Sequence, residues 1–174
     1  MGVYVPFSLF DKSSVSQSIY YKHEVGQAGR ITHIQYFNNF ESANIGEKPV
    51  KIWMANTSVN KLDTWLPQSQ FTLVFEGNVN FPVGENTISI ELSDICEYTG
   101  GNLVIMTERL YDERNYTARE YFIQSSTPEY PSRTRYYRDD KNVFNWTQTG
   151  TAANFYPNTI LNIAYEGGSL SGVI

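Results

Sequence analysis

Arginine and aromatic residues are concentrated in one segment of the chain, 109–146. Six of the seven arginines lie there, among six tyrosines and Trp146. A guanidinium group makes directed hydrogen bonds, and an aromatic ring gives contact area at little cost in side-chain entropy. In a sugar site, such a ring would stack on the apolar face of a pyranose while polar side chains bond the hydroxyl groups. The segment is therefore a candidate binding surface.

Six residues are the predicted ligand contacts: Trp65, Arg133, Arg135, Tyr136, Tyr137 and Trp146. In this prediction the arginines and tyrosines give directed bonds, and the tryptophans stack. The alternative is structural, because arginine–tyrosine stacks and ion pairs with Asp112, Glu113 and Glu120 would fix a long loop to the rest of the domain. Both interpretations stay open from the sequence.

The run from Arg138 to Asn142 contains two adjacent carboxylates and an amide. Oxygen ligands of this kind suit Ca²⁺, although the alternating spacing of a calcium loop is missing. An exposed turn with charge pairs is the favoured interpretation. If a structural calcium ion is bound, Asp139 and Asp140 are its predicted ligands, and we expect no other cofactor.

Candidate catalytic residues are sparse. His23 and His33 have no serine or cysteine beside them in a recognisable nucleophile motif. Cys96 is the single cysteine, and a buried packing role is expected for it. Glu76, Glu91, Glu97 and Glu108 are available for a glycosidase pair, but the sequence does not tell whether two of them face one cleft, and an acidic domain contains such pairs by chance. We predict that the protein is not an enzyme.

Net charge argues against two classes of partner. The chain has 13 basic and 18 acidic residues, for a formal charge of −5. Nucleic acid and anionic membrane surfaces both attract basic proteins, so neither is an expected partner. The sequence shows no apolar stretch that could span a membrane and no signal peptide at its start, so we expect no membrane insertion.

The positioning elements are predicted to be strands. Short runs rich in Ile, Val, Tyr and Phe, each stopped by Gly, Pro or Asn, are typical of strands rather than helices. Seven such runs occur: Arg30–Phe37, Val50–Met54, Phe71–Phe75, Asn86–Leu92, Asn102–Thr107, Arg119–Ile123 and Thr159–Tyr165. Further expectations are an edge strand over Val3–Phe7 and a hairpin that turns at Gly77-Asn78. The chain is thus predicted to be one all-β domain over 1–165, followed by a linker or tail over 166–174.

The order and spacing of several segments resemble a known group of domains. These segments are Ser14–Tyr20 with Gly29–Phe37, Pro49–Trp53 leading to Trp65 and Leu73–Gly77, and Tyr98–Ile105. They resemble the β-sandwich domains attached to surface and secreted proteins of host-associated anaerobic bacteria, such as the adhesin-like domains of gingipain-type proteases. The resemblance implies a jelly-roll β-sandwich (galactose-binding-like), export, and a binding role beside another module. An immunoglobulin/fibronectin-like sandwich is the alternative fold.

Together these observations predict a non-catalytic extracellular or cell-surface module of a larger multidomain protein. The predicted function is carbohydrate binding, by which the module would attach its parent protein to a glycan or to a host or matrix surface, so the expected partner is a glycan or a host or matrix protein. A protein–protein adhesion or spacer domain beside a secreted protease is the alternative. A small glycoside-active enzyme is the third interpretation.

Overall fold

A computed structural model describes residues 1–165 and, by their backbone, residues 168–173. The all-β prediction is confirmed. The strands are β1 Ser13–Tyr20, β2 Gly29–Phe40, β3 Gly46–Thr57, β4 Thr72–Phe81, β5 Gly84–Tyr98, β6 Asn102–Arg109, β7 Tyr121–Phe122, β8 Gln124–Ser126, β9 Thr134–Asp139, β10 Thr151–Ala153, β11 Phe155–Pro157, β12 Thr159–Tyr165 and β13 Gly168–Val173. A single-turn helix, α1, spans Lys22–Val25, and a 3₁₀ turn spans Gln68–Gln70. In the described ranges, no helix combines the length and apolarity needed to cross a membrane.

Two antiparallel sheets face each other in a sandwich. The large sheet has the order β10-β9-β1-β6-β3-β4, and the small sheet has the order β13-β12-β2-β5, with β7 also paired to β2. Strands β11 and β8 form a separate pair. Successive residues of a strand point to opposite faces, and the inward-facing residues of both sheets, such as Ile34 of β2 and Ile105 of β6, belong to one apolar core. On β5, Ile88, Ile90 and Leu92 are buried while their neighbours face water, as their period-two spacing predicts.

The outer face of the large sheet is also covered. Strand β6 has both faces buried along Leu103–Met106, as its unbroken apolar run predicts. The covering layer is the loop between β3 and β4, residues 58–71, which places Leu62 and Leu66 against Val104. This arrangement gives the molecule a second apolar layer, and it positions the candidate site described below.

Two local predictions are wrong. Val3–Phe7 forms no strand, and the chain enters instead through a single bridge between Gly2 and Phe122. The hairpin at Gly77-Asn78 is absent because β4 runs straight through it, with Gly77 opposite Val50 of β3. The ladder to β3 holds these residues extended, so the chain reverses later, at Pro82-Val83 between β4 and β5.

The end of the chain differs from the predicted linker. Residues Gly168–Val173 form β13, which pairs antiparallel with β12. Gly and Ser residues are typical of linkers, which is why the sequence predicts one here. Their backbone groups can nevertheless hydrogen-bond to the edge of β12, which would otherwise be unpaired. Residues 166, 167 and 174 of the predicted linker lie outside the described residues.

Candidate ligand-binding site

Two loops on the outer face of the large sheet bring three aromatic rings together. Trp65 comes from the 58–71 loop, and Phe144 and Trp146 come from the loop between β9 and β10, residues 140–150. The Phe144 ring lies 5.1 Å from Trp65 and 5.2 Å from Trp146, and Trp65 lies 6.4 Å from Trp146, all in edge-to-face geometry. Tyr137 of β9 joins the group through Phe144, at 5.7 Å. We call these four residues the aromatic cluster.

The two indoles of the cluster are fixed by hydrogen bonds. Trp65 Nε1 donates to the carbonyl of Gln148 at 2.7 Å, which ties one loop to the other. Trp146 Nε1 donates to Oε1 of Gln68 at 3.1 Å. Trp146 nevertheless stays 38% exposed. Because its N–H is already bonded, the exposed part of Trp146 is mainly apolar ring surface.

A groove opens beside the exposed indole. It has a volume of about 450 Å³ and is lined by Thr64, Trp65, Pro67, Gln68, Ser69 and Trp146. The described lining combines two aromatic rings with hydroxyl and amide groups and includes no charged side chain. We call it the Trp146 groove. Its composition suits a ligand that has both apolar faces and hydroxyl groups.

Arg135, a predicted ligand contact, is instead buried beneath the two loops. Only 5% of it is exposed. Its Nε donates to the carbonyl of Leu62 at 3.0 Å, its Nη1 to the carbonyl of Thr149 at 2.6 Å, and its Nη2 to the carbonyl of Asp63. Each nitrogen of the guanidinium is therefore bonded to the backbone. Arg135 holds the two loops together and has no free nitrogen for a ligand, so the structure gives it a positioning role.

Arg133 is likewise taken up by the protein. It is 1% exposed, and it donates from Nε to the carbonyl of Ile19 at 3.1 Å and from Nη2 to the Glu24 carboxylate. Its guanidinium also lies 3.4 Å from the centre of the Tyr156 ring. A buried arginine of this kind is stable because its charge is both paired and hydrogen-bonded. The structural interpretation therefore applies to Arg133 as well, and we drop both arginines from the proposed ligand contacts.

Arg109 and Arg138 connect the segment to the start of the chain. Arg109 is fully buried and donates to the carbonyl of Ser8 at 2.7 Å, besides pairing with Asp112 at 3.5 Å. Arg138 pairs with Asp11 at 2.9 Å. Two of the six arginines of the segment thus hold the chain before β1 in place.

The two adjacent tyrosines of β9 point in opposite directions, as successive strand residues must. Tyr137 joins the aromatic cluster, and its hydroxyl donates to Asp139 at 2.8 Å while accepting from the Gln148 amide at 2.7 Å. Tyr136 stacks on Tyr4 at 5.5 Å, on the other side of the sheet. The structure therefore brings Trp65, Tyr137 and Trp146 together and leaves Tyr136 outside the Trp146 groove.

The predicted calcium ligands cap a turn. The backbone N–H of Lys141 donates to Asp139 Oδ1 at 2.6 Å, and the N–H of Asn142 donates to the same oxygen at 3.0 Å. These bonds, led by that of Lys141, together with the Tyr137 hydroxyl, hold the pKa of Asp139 well below its usual range. Asp140 accepts from the backbone N–H of Lys12 at 3.1 Å. Within the described residues, no three His, Cys, Asp or Glu side chains are grouped to hold a metal ion, and calcium binding stays an untested prediction.

Cys96 occupies the position expected of a packing cysteine. It is 5% exposed and belongs to the core between the sheets. Burial raises the pKa of its thiol to about 11, so it is uncharged at neutral pH. A neutral buried thiol is a poor nucleophile.

Sequence reasoning missed several residues of the site. Phe144, Gln68 and Gln148 connect the cluster, and none was among the predicted contacts. Gly150 has a φ of +68°, and a Cβ atom there would lie 2.6 Å from the Trp65 ring. One signal was present in the sequence: Val143, Phe144 and Trp146 are the apolar residues of the otherwise polar stretch 139–149.

Comparisons with known proteins add no relative. No protein-family model matches the chain. No curated protein matches its sequence. The resemblance to adhesin-like domains therefore stays a prediction.

Proposed function

We propose that this protein is a non-catalytic carbohydrate-binding module and that the Trp146 groove is its binding site. The observation that carries the proposal is the exposed indole of Trp146, fixed at the rim of a groove with uncharged polar lining. A sugar ring has an apolar C–H face that packs on an aromatic ring, and its hydroxyls bond to groups such as the Gln68 amide and the Ser69 hydroxyl.

The site is ordered before any ligand arrives. The bond from Trp65 to Gln148 and the three bonds of Arg135 join the loops that form the two sides of the groove. A site that is already ordered loses little conformational entropy on binding, so more of the contact energy appears as affinity. This supports a groove built for a ligand rather than two loops in chance contact.

A protein–protein adhesion domain is the second candidate. Val143, 58% exposed, lies three residues from Trp146 in the same loop. An exposed aliphatic side chain beside an exposed tryptophan would also suit a protein partner, since tryptophan is enriched among the residues that dominate such interfaces. A glycoside-active enzyme ranks third, because the described lining of the groove supplies no carboxylate pair.

We further propose export to the cell surface or medium, as part of a larger bacterial protein, and a jelly-roll topology. The resemblance described above supports the first. The second is supported by the path of the chain, which alternates between sheets: β1 large, β2 small, β3 and β4 large, β5 small, β6 large and β12 small. Repeated crossing between two antiparallel sheets is what Greek-key arrangements of this class produce.

The test is retention on gels that contain immobilised polysaccharides, with Trp146→Ala compared to the wild-type protein. We expect Trp146→Ala to weaken binding by at least about tenfold, the effect typical of losing a central aromatic contact. Tyr111→Ala is the matched control, because Tyr111 is also 38% exposed but lies outside the aromatic cluster. Equal retention of the wild-type protein and Trp146→Ala would contradict the proposed site. If no polysaccharide gel retains the wild-type protein, but the wild-type protein binds a matrix protein and Trp146→Ala does not, the adhesion alternative is favoured.

A further inference from the structure

A second groove carries its own exposed aromatic ring. It has a volume of about 430 Å³, and its lining includes Asn60, Lys61, Asp63, Glu129, Tyr130 and Ser132. Tyr130 is 46% exposed. Its ring lies 5.0 Å from that of Tyr21, which in turn lies 5.0 Å from the buried guanidinium of Arg133. We call it the Tyr130 groove, and its exposed ring rests on a packed base.

The same loop builds both grooves. Within the 58–71 loop, the residues that line the Tyr130 groove are Asn60, Lys61 and Asp63, and those that line the Trp146 groove are Thr64, Trp65, Pro67, Gln68 and Ser69. Arg135 fixes this loop next to the change from one lining to the other, between Asp63 and Thr64, through the carbonyls of Leu62 and Asp63. The N–H of Leu62 also donates to the carbonyl of Ser132, another lining residue of the Tyr130 groove, at 2.6 Å. The two grooves therefore share one fixed segment.

The two grooves follow each other along the direction of β1. Tyr21, directly after β1, donates from its hydroxyl to the carbonyl of Asn60 at 3.0 Å. Gln17 within β1 bonds both backbone groups of Leu66, at 2.8 and 3.0 Å. Gln17 and Tyr21 are four residue steps apart along extended chain, which is about 13 Å at the usual strand rise. A chain-like ligand could thus run along the loop from one ring to the other.

The charges of the two grooves favour a neutral ligand. The Trp146 groove has no charged side chain in its described lining. In the Tyr130 groove, Lys61 pairs with Asp63 at 2.9 Å, and Glu129 adds a second carboxylate. One positive and two negative side chains leave this lining at −1, and the whole chain carries −5. Acidic sugars would meet repulsion there, whereas hydroxyl groups can donate to the carboxylates.

We infer that the two grooves form one extended site for a neutral oligosaccharide chain, with one sugar on Trp146 and a more distant sugar on Tyr130. The inference rests on the proposed carbohydrate-binding function and adds the class of ligand. When one ligand engages two linked contacts, the second contact forms within the complex and raises the affinity. Affinity should therefore rise with chain length until the chain spans both rings.

The experiment uses the full chain and two sets of probes. Affinity gels contain xyloglucan, galactomannan or mixed-linkage glucan as neutral polysaccharides, and polygalacturonate or heparin as acidic ones. The neutral polysaccharide that retains the protein is then cut into size-fractionated fragments of about two to about eight sugar units, and these are titrated into the protein by calorimetry. Tyr130→Ala and Trp146→Ala are compared with Tyr111→Ala, and thermal melting checks that each variant is folded.

We expect wild-type affinity to increase at least about tenfold from the shortest to the longest fragments. Tyr130→Ala should bind the short fragments as the wild-type protein does but lose the increase, while Trp146→Ala should bind all of them weakly. Binding that depends on Trp146 but not on chain length or on Tyr130 would overturn the inference and leave the proposed function standing. Preference for the acidic polysaccharides would also overturn it. If none of the polysaccharide gels retained the protein, the result would contradict both the proposed function and this inference.

Discussion

Replacing Arg135 with Met tests whether this residue orders the two loops or contacts the ligand. Met retains an unbranched apolar stem of similar length but cannot donate to the carbonyls of Leu62, Asp63 and Thr149. A hydrogen bond to a charged group contributes about 1.5–3 kcal/mol. Two of the three bonds are only partly buried, so their carbonyls can regain water after the substitution. We therefore expect Arg135→Met to lower the free energy of unfolding by about 3–5 kcal/mol rather than by the full sum.

Urea denaturation followed by circular dichroism measures this change, and acrylamide quenching of tryptophan fluorescence measures the order of the loops. Arg119→Met is the matched control, because Arg119 forms an exposed ion pair with Glu41 at 3.0 Å. Losing this pair should lower the free energy of unfolding by under about 1 kcal/mol. Quenching of Trp65 and Trp146 should increase only in Arg135→Met. If Arg135→Met kept wild-type stability and quenching yet lost polysaccharide binding, Arg135 would be a ligand contact and the positioning role would be wrong.

Two further substitutions test the geometry of the 140–150 loop and of the turn before it. Gly150→Ala should lower the free energy of unfolding, measured by urea denaturation, by about 2 kcal/mol more than Gly46→Ala does. Both glycines have positive φ, but a Cβ atom at Gly150 would lie 2.6 Å from the Trp65 ring, whereas a Cβ atom at Gly46 would have no neighbour within 4 Å. Equal costs would refute this account. For Asp139, the lowered pKa means that the ionised form stabilises the fold above the ordinary carboxyl pKa of about 4, and this stability is lost as the pH falls below that value. Asp139→Asn should therefore flatten the acid side of the plot of unfolding free energy against pH. An unchanged slope in Asp139→Asn would show that the turn does not stabilise the ionised form.

Strands were predictable where apolar residues alternate. Strand β12 has the predicted bounds, Thr159–Tyr165, and β5 buries Ile88 and Ile90 as expected. Alternation is a local property of the sequence that a half-buried strand requires. The straight passage of β4 through Gly77-Asn78 depends instead on pairing with β3, far away in the sequence. A Gly-Asn pair permits a turn without requiring one, so local reasoning failed there.

The candidate site was predictable in its residue types but not in their roles. Trp65, Tyr137 and Trp146 were among the predicted contacts, and the structure groups them. Whether an arginine faces water or is buried depends on backbone carbonyls that are distant in the sequence and close in the fold. The Leu62 carbonyl that Arg135 bonds lies 73 residues away in the sequence. Alternation along β9 places Tyr136 and Tyr137 on opposite faces, and together with the spacing of Phe144 and Trp146 it is a local signal for this site in the sequence.

The most direct test follows the indole N–H signals of the three tryptophans by ¹⁵N NMR during titration with a neutral oligosaccharide. Trp53 is an internal control, because it is buried on the same face of the large sheet and lies beneath the loops. We predict that the Trp146 signal shifts most, that Trp65 shifts less, and that Trp53 stays nearly constant. A saturable interaction that leaves the Trp146 signal unmoved would contradict the assignment of this groove as the carbohydrate site.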